Sequence, residues 1–100
     1  MIGSLGNYIK KLRLANSLPL RKVAAELDID QSILCKIENN KRKPNRELIT
    51  KIASFFKINE NDLLIQLYSD EFVEKLYNDD FAFEVLKVAE EKLRYSNNKK

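Results

Sequence analysis

The run Gln31-Ser32-Ile33-Leu34-Cys35-Lys36-Ile37-Glu38-Asn39 is where residue type and spacing point most directly to chemistry. On a helix stepping about 100° per residue from Gln31, the side chains of Gln31, Cys35, Asn39, Ser32 and Lys36 share an arc of roughly 0° to 140°. Leu34 and Ile37 fall on the far side, near roughly 240° to 300°, where they can join a core. The polar arc offers amide, hydroxyl and ammonium groups that match base edges and phosphate oxygens, and it holds no carboxylate to repel them. A solvated face is the competing reading of the helix alone. What tilts the balance is the loop that follows, where Lys41, Arg42, Lys43 and Arg46 place four cations within six residues, the field that phosphate binding needs. Ile33, at roughly 200°, is apolar yet outside the core arc. That position makes it a candidate to meet a thymine methyl.

Other chemistries are excluded by what is missing. The 100 residues contain no histidine and one cysteine, so neither a Ser-His-Asp nor a Cys-His triad can be built, and a tetrahedral zinc site has no ligand set. The adjacent carboxylates Asp79-Asp80 and Glu90-Glu91 point in different directions on a helix and read as solvated surface. One cysteine makes no internal disulfide and fits a reducing compartment. Cys35 lies in the polar arc, where oxidation would be felt by bound DNA, but lone cysteines are usually inert. No apolar run approaches the roughly 20 residues that span a bilayer, and Met1-Ile2-Gly3-Ser4 lacks the charged and long apolar regions of a signal peptide. The expectation is a cytoplasmic protein with no catalytic activity, cofactor or metal.

A scaffold must aim these side chains. Residues 1–57 hold 12 basic and 5 acidic side chains, whereas residues 58–100 hold 6 and 10, so a basic front is followed by an acidic rear with a different surface to offer. Only 2 Gly and 2 Pro interrupt the chain. The apolar residues recur at helical spacing without internal repeat, which predicts an all-α fold. A first helix from about Leu5 to Asn16 carries the stripe Leu5, Ile9 and Leu12. Pro19 suits a first helical turn, and a second helix, Leu20 to Leu27, buries Leu20, Val23, Ala24 and Leu27. After the turn Asp28-Ile29-Asp30 the third helix runs from Gln31 to a stop at Asn39-Asn40. Asn45 caps a fourth helix through about Phe56, with Leu48, Ile49, Ile52, Ala53 and Phe56 on its core face. Asn59 and Asp62 resemble a capping box and open a fifth helix with Leu63, Leu64 and Leu67.

Beyond Tyr68, the cap candidates Ser69 and Asp79 or Asp80 predict two further helical segments. Phe72, Val73, Leu76 and Tyr77 line the first; Ala82, Val85, Leu86, Ala89 and Leu93, widened by Phe81 and Val88, line the second. Short isolated helices are marginal in water, so this stripe needs burial, either on the chain's own core or against a second copy. Phe72, Leu76, Phe81, Val85, Leu86, Ala89 and Leu93 are the candidate dimer interface. Asn97 to Lys100 is expected to be disordered.

Leu12-Arg13, the run LPLRKVAAELDIDQSILCKIENNKRKP over residues 18–44, Leu48 to Ala53 and Ile58 to Leu64 together resemble the phage-repressor-type (Cro/cI, Xre) helix-turn-helix family. The likeness extends over roughly Leu5 to Leu64. It implies a five-helix lambda-repressor-like DNA-binding domain, acting as a homodimer on a palindromic operator, with Gln31, Ser32 and Lys36 at the positions that most often read bases. It also implies a partly buried ion pair between Arg13 and Glu38, bridging the first and third helices. Four positions depart from the family pattern. Leu20 replaces a phosphate-binding glutamine, which shifts that contact to Arg21 or Lys22; Asp28 and Asn40 replace glycines; Cys35 replaces a frequent serine.

The resulting expectation is a helix-turn-helix DNA-binding domain over residues 1–67 (helix-turn-helix about 20–39), a helical dimerisation extension over 68–96 and a disordered tail over 97–100. Gln31, Ser32, Lys36 and Ile33 are the expected base contacts. Arg21, Lys22, Asn39, Lys41, Arg42, Lys43 and Arg46 are the expected phosphate contacts on double-stranded DNA. The competing expectation is an antitoxin or protein-interaction module whose C-terminal helices bind another protein, or a restriction–modification controller. With no sensor domain in evidence, no small-molecule effector is expected.

Overall fold

The computed structural model describes residues 4–98, and they are all-α. Six helices follow in order: α1 (Leu5–Ala15), α2 (Leu20–Glu26), α3 (Gln31–Glu38), α4 (Arg46–Phe56), α5 (Glu60–Leu76) and α6 (Ala82–Asn98). Local chemistry accounts for most of the boundaries. Ser4 Oγ accepts the Asn7 N–H at 3.4 Å and Asn45 Oδ1 accepts the Leu48 N–H at 2.8 Å, which satisfies amides that have no partner inside α1 and α4. Asn59 Oδ1 accepts instead from Asn61, at 2.9 Å. The box expected between Asn59 and Asp62 is therefore replaced by a tighter side-chain turn, with the Asp62 N–H on the Asn59 carbonyl.

The first four helices all stop in the same way, and none uses glycine. Ser17, Asp28, Asn40 and Lys57 have φ of 54°, 58°, 61° and 57°, left-handed values that cost an L-residue about 1–2 kcal/mol. In each case the residue after the turn donates back to a carbonyl five positions earlier: Leu18 to Arg13, Ile29 to Ala24, Lys41 to Lys36 and Ile58 to Ala53. Carbonyls that the helix itself leaves open are thereby paired. The structure thus places Asp28 and Asn40 in the conformation for which the family uses glycine.

The core lies among α1 to α4 and the first half of α5. Ile9, Val23, Leu34, Ile49, Ile52 and Leu63 are wholly buried. Leu12, Leu20 and Phe56, expected in the core, are half-buried at its margin, and Phe56 meets Phe55 edge to face with ring centroids 4.9 Å apart. α1 and α3 come close together at Gly6, where an added Cβ would collide with the Ile37 carbonyl oxygen and lie 2.5 Å from Asn40 Oδ1.

The expected break at Ser69 does not occur. α5 runs on to Leu76 because the two cap-type residues at the junction are engaged elsewhere: Ser69 Oγ donates to the Gln66 carbonyl at 3.0 Å, and Asp70 Oδ2 accepts the Leu5 N–H at 2.8 Å. The predicted fifth helix and the first segment of the extension are one element of 17 residues. α6 then projects from the body and buries none of its residues. The radius of gyration, 15.9 Å, exceeds the roughly 13 Å of a compact chain of this length. Packing of the C-terminal stripe on the chain's own core, one of the two expected fates, is not what the fold does. Asn97 and Asn98, expected in a disordered tail, continue α6, which no proline or glycine interrupts and which a Glu90–Arg94 pair at 2.9 Å reinforces one turn earlier. Lys99 and Lys100 lie outside the described residues, as do Met1 to Gly3.

Candidate nucleic-acid interface

α2 and α3 are joined through the left-handed Asp28, and the turn leaves one face of α3 open. Gln31, Ser32, Cys35, Lys36 and Asn39 are all exposed, while Leu34 and Ile37 are buried opposite them. That partition follows from the 3.6-residue period: the core takes one stripe and hands the other to solvent. Ile33 is half-buried and packs against the core, lining a cleft with Ile29, Pro44 and Leu48. Burial by itself accounts for its apolar side chain. The Asn39 amide turns back on its own helix, donating to the Cys35 carbonyl at 2.9 Å and to Cys35 Sγ at 3.4 Å.

Three tethers fix α3 against α1. Arg13 Nε donates to Glu38 Oε2 at 2.7 Å and Arg13 Nη2 to Glu38 Oε1 at 2.9 Å, while Arg13 Nη1 donates to the Leu18 carbonyl at 2.9 Å. This fork of two parallel charged bonds is the geometry that guanidinium and carboxylate suit best. Only 11% and 4% of the two side chains remain exposed, and hydrogen bonding to Glu38 raises the Arg13 pKa against the opposing effect of burial. The second tether is the Gly6 N–H, which donates to Asn40 Oδ1 at 3.2 Å. The third is the close backbone approach that Gly6 permits. The pair expected from the family resemblance, Arg13 with Glu38, is thus brought together by the fold.

The cations divide into two groups. Arg21 and Lys22 on α2, Lys36 on α3, and Lys41 and Arg42 in the loop are exposed, and none of the ion pairs among the described residues involves them. Lys43 and Arg46 differ. Lys43 Nζ lies 2.8 Å from Glu74 Oε2, and Arg46 Nε lies 3.6 Å from Glu60 Oε1, which also accepts from Thr50 Oγ1. Both carboxylates belong to α5. The break expected at Ser69 would detach Glu74 from this helix, yet the signal for continuity is present: Leu63, Leu67, Asp70 and Glu74 follow i, i+4, i+7, i+11 along one face. A continuous α5 carries that face from the core to the basic loop.

Candidate interface residues on the extension are more open than those of the body. Phe72, Leu76, Val85 and Ala89 are half-buried, while Phe81, Leu86 and Leu93 are 52%, 50% and 65% exposed. Among the described residues no cluster of three or more His, Cys, Asp or Glu could hold a metal ion, and no helix is long and apolar enough to cross a membrane.

Residues 6–69 match the helix-turn-helix domain family. The chain belongs to that family. The matched span includes α1 from Gly6 on, α2 to α4 and the first ten residues of α5, so it contains the exposed polar face of α3, the three tethers and the basic loop. Its type is that of the Xre and Cro/cI repressors, and membership suggests a DNA-binding regulatory role for this helix-turn-helix protein. No curated protein and no solved structure matches the chain.

Proposed function

We propose that this helix-turn-helix protein is a cytoplasmic, sequence-specific regulator of transcription that binds double-stranded DNA as a homodimer on an inverted repeat. The observation that carries the reading is the exposed polar face of α3, tethered to α1 by Arg13–Glu38 and bordered by Arg21, Lys22, Lys41 and Arg42, cations with no ion-pair partner among the described residues. Gln31, Ser32 and Lys36 select bases. The basic residues, with Asn39, set the register on the phosphates. Phe72 and Leu76 of α5, with Phe81, Val85, Leu86, Ala89 and Leu93, supply the dimer contact, and two recognition helices enter successive major grooves about 34 Å apart.

The test is enrichment of bound duplexes from a random pool, then titration of the selected sequence at two salt concentrations with the wild type and Lys36→Ala. The expected result is an inverted repeat whose preference relaxes at one position per half-site in the variant, at a cost of about 1–3 kcal/mol. A salt-independent affinity, or no enrichment, overturns the reading.

The 84% exposure of Phe83 and the 65% exposure of Leu93 favour one further reading: the extension grips a different protein, as in an antitoxin or an antagonist complex. Sedimentation separates the two. A stable dimer accounts for the apolar surface, whereas a monomer leaves a surface of this size for another partner.

A further inference from the structure

We propose that Glu74 of α5 is a built-in competitor of the DNA backbone, holding Lys43 on the protein and so setting both the affinity and the salt dependence of DNA binding. The inference rests on the DNA-binding reading above. It begins from the unequal treatment of neighbouring cations in one loop. Lys41 and Arg42 face solvent with no carboxylate partner among the described residues, whereas the Lys43 ammonium lies 2.8 Å from Glu74 Oε2. Hydrogen bonding to Glu74 raises the Lys43 pKa, and the charges of Glu74, Glu71 and Asp70 add to that rise. One stretch of α5 therefore surrounds this ammonium with the charge that a phosphate would supply.

The position of the stretch is fixed. Asp70, one turn before Glu74, accepts the Leu5 N–H at 2.8 Å, and Leu67, one turn earlier again, is buried in the core. Glu74 is thus delivered to the loop by a helix anchored at two points, and it borders the same recess as Gly6, Asn40, Arg42 and Pro44. A lysine neutralises a phosphate by bringing its charge to the duplex and releasing a condensed counterion. Lys43 held on Glu74 does neither until the carboxylate is displaced. Both side chains are about half exposed, so the exchange needs no unfolding, and a substitution at either leaves the core untouched.

The experiment compares the full-length wild type with Glu74→Gln, Lys43→Gln, the double variant and Glu91→Gln, titrating a mixed-sequence duplex across a salt series. Glu91, exposed on α6, supplies the same change in net charge outside α5 and the loop. Glu74→Gln is expected to tighten binding at low salt by about two- to fivefold, the span that exposed ion pairs cover. It should also steepen the slope of log affinity against log salt by about 0.9, the value of one added phosphate contact. Lys43→Gln should abolish that gain, and Glu91→Gln should leave the slope unchanged. An unchanged or weakened Glu74→Gln, a gain that survives in the double variant, or an equal gain from Glu91→Gln overturns the proposal while the DNA-binding reading stands. Absence of wild-type binding at every salt overturns both.

Discussion

Arg13 and Glu38 form a two-bond fork across the α1–α3 interface, with bonds of 2.7 and 2.9 Å and almost no exposed side-chain surface. Glu38 is the last residue of the helix that carries the reading face. The pair therefore acts at the end of α3, where a small change in angle would move Gln31, Ser32 and Lys36 together.

Breaking the fork should be worse than removing it. Glu38→Ala leaves the Arg13 guanidinium in a site built for a partner and is expected to cost about 3–5 kcal/mol, as for other buried pairs deprived of one member. Arg13→Met combined with Glu38→Leu should cost clearly less. Urea denaturation of the three proteins measures both numbers, and a double variant less stable than Glu38→Ala would refute the account.

Gly6→Ala runs against helix propensity. Alanine favours a helix interior over glycine by about 0.8–1 kcal/mol, but its Cβ would collide with the Ile37 carbonyl and crowd the Glu38 carbonyl at 2.9 Å. The contact should dominate and lower stability by about 1–3 kcal/mol, the range of overpacked cores. A gain in melting temperature would mean that α1 and α3 are less closely apposed than described.

Glycine should help at some left-handed stops and not at others. Ser17→Gly and Lys57→Gly relieve a strained φ without losing a side-chain bond to another element, and each is expected to add about 1 kcal/mol, or roughly 4–8 °C in Tm. Asn40→Gly relieves the same strain but forfeits the bond to the Gly6 N–H, so its net effect should be near zero or negative. Calorimetry on the three variants tests the ordering.

The proposed dimer makes a prediction about α6. Leu86→Glu and Leu93→Glu place charges on half- to two-thirds-exposed positions outside the buried core. They are expected to convert a dimer to a monomer in sedimentation while the urea midpoint of the monomeric core holds. Variants that remain dimeric would move the contact elsewhere.

Legibility from sequence followed how local the determining interactions are. The bounds of α1 to α4 and the stops at Asp28 and Asn40 are set by residues within a turn of each boundary, such as Ser4, Pro19 and Asn45, and the sequence pattern places them to within a residue. α5 is different. Ser69 and Asp70 are cap-type residues, and only a partner 65 positions away, the Leu5 amide, reveals that Asp70 is occupied and the helix continuous. Only that continuity brings Glu74 to the basic loop, whereas Glu60, at the start of α5, meets Arg46 and Thr50 of α4 across the α4–α5 turn. The types of the reading-face residues were legible because periodicity alone assigns them to solvent, whereas the pairing state of each cation depends on a remote helix.

The continuity of α5 makes it a rod that passes from the core into the extension without a hinge. Phe72 and Leu76 are therefore held at a set rotational phase relative to the reading face of α3. Inserting one residue after Ser69 would turn everything beyond it by about 100° and advance it by about 1.5 Å. In the proposed dimer, two such molecules would then present their α3 helices out of phase with the DNA screw, even with every side chain of the exposed α3 face intact.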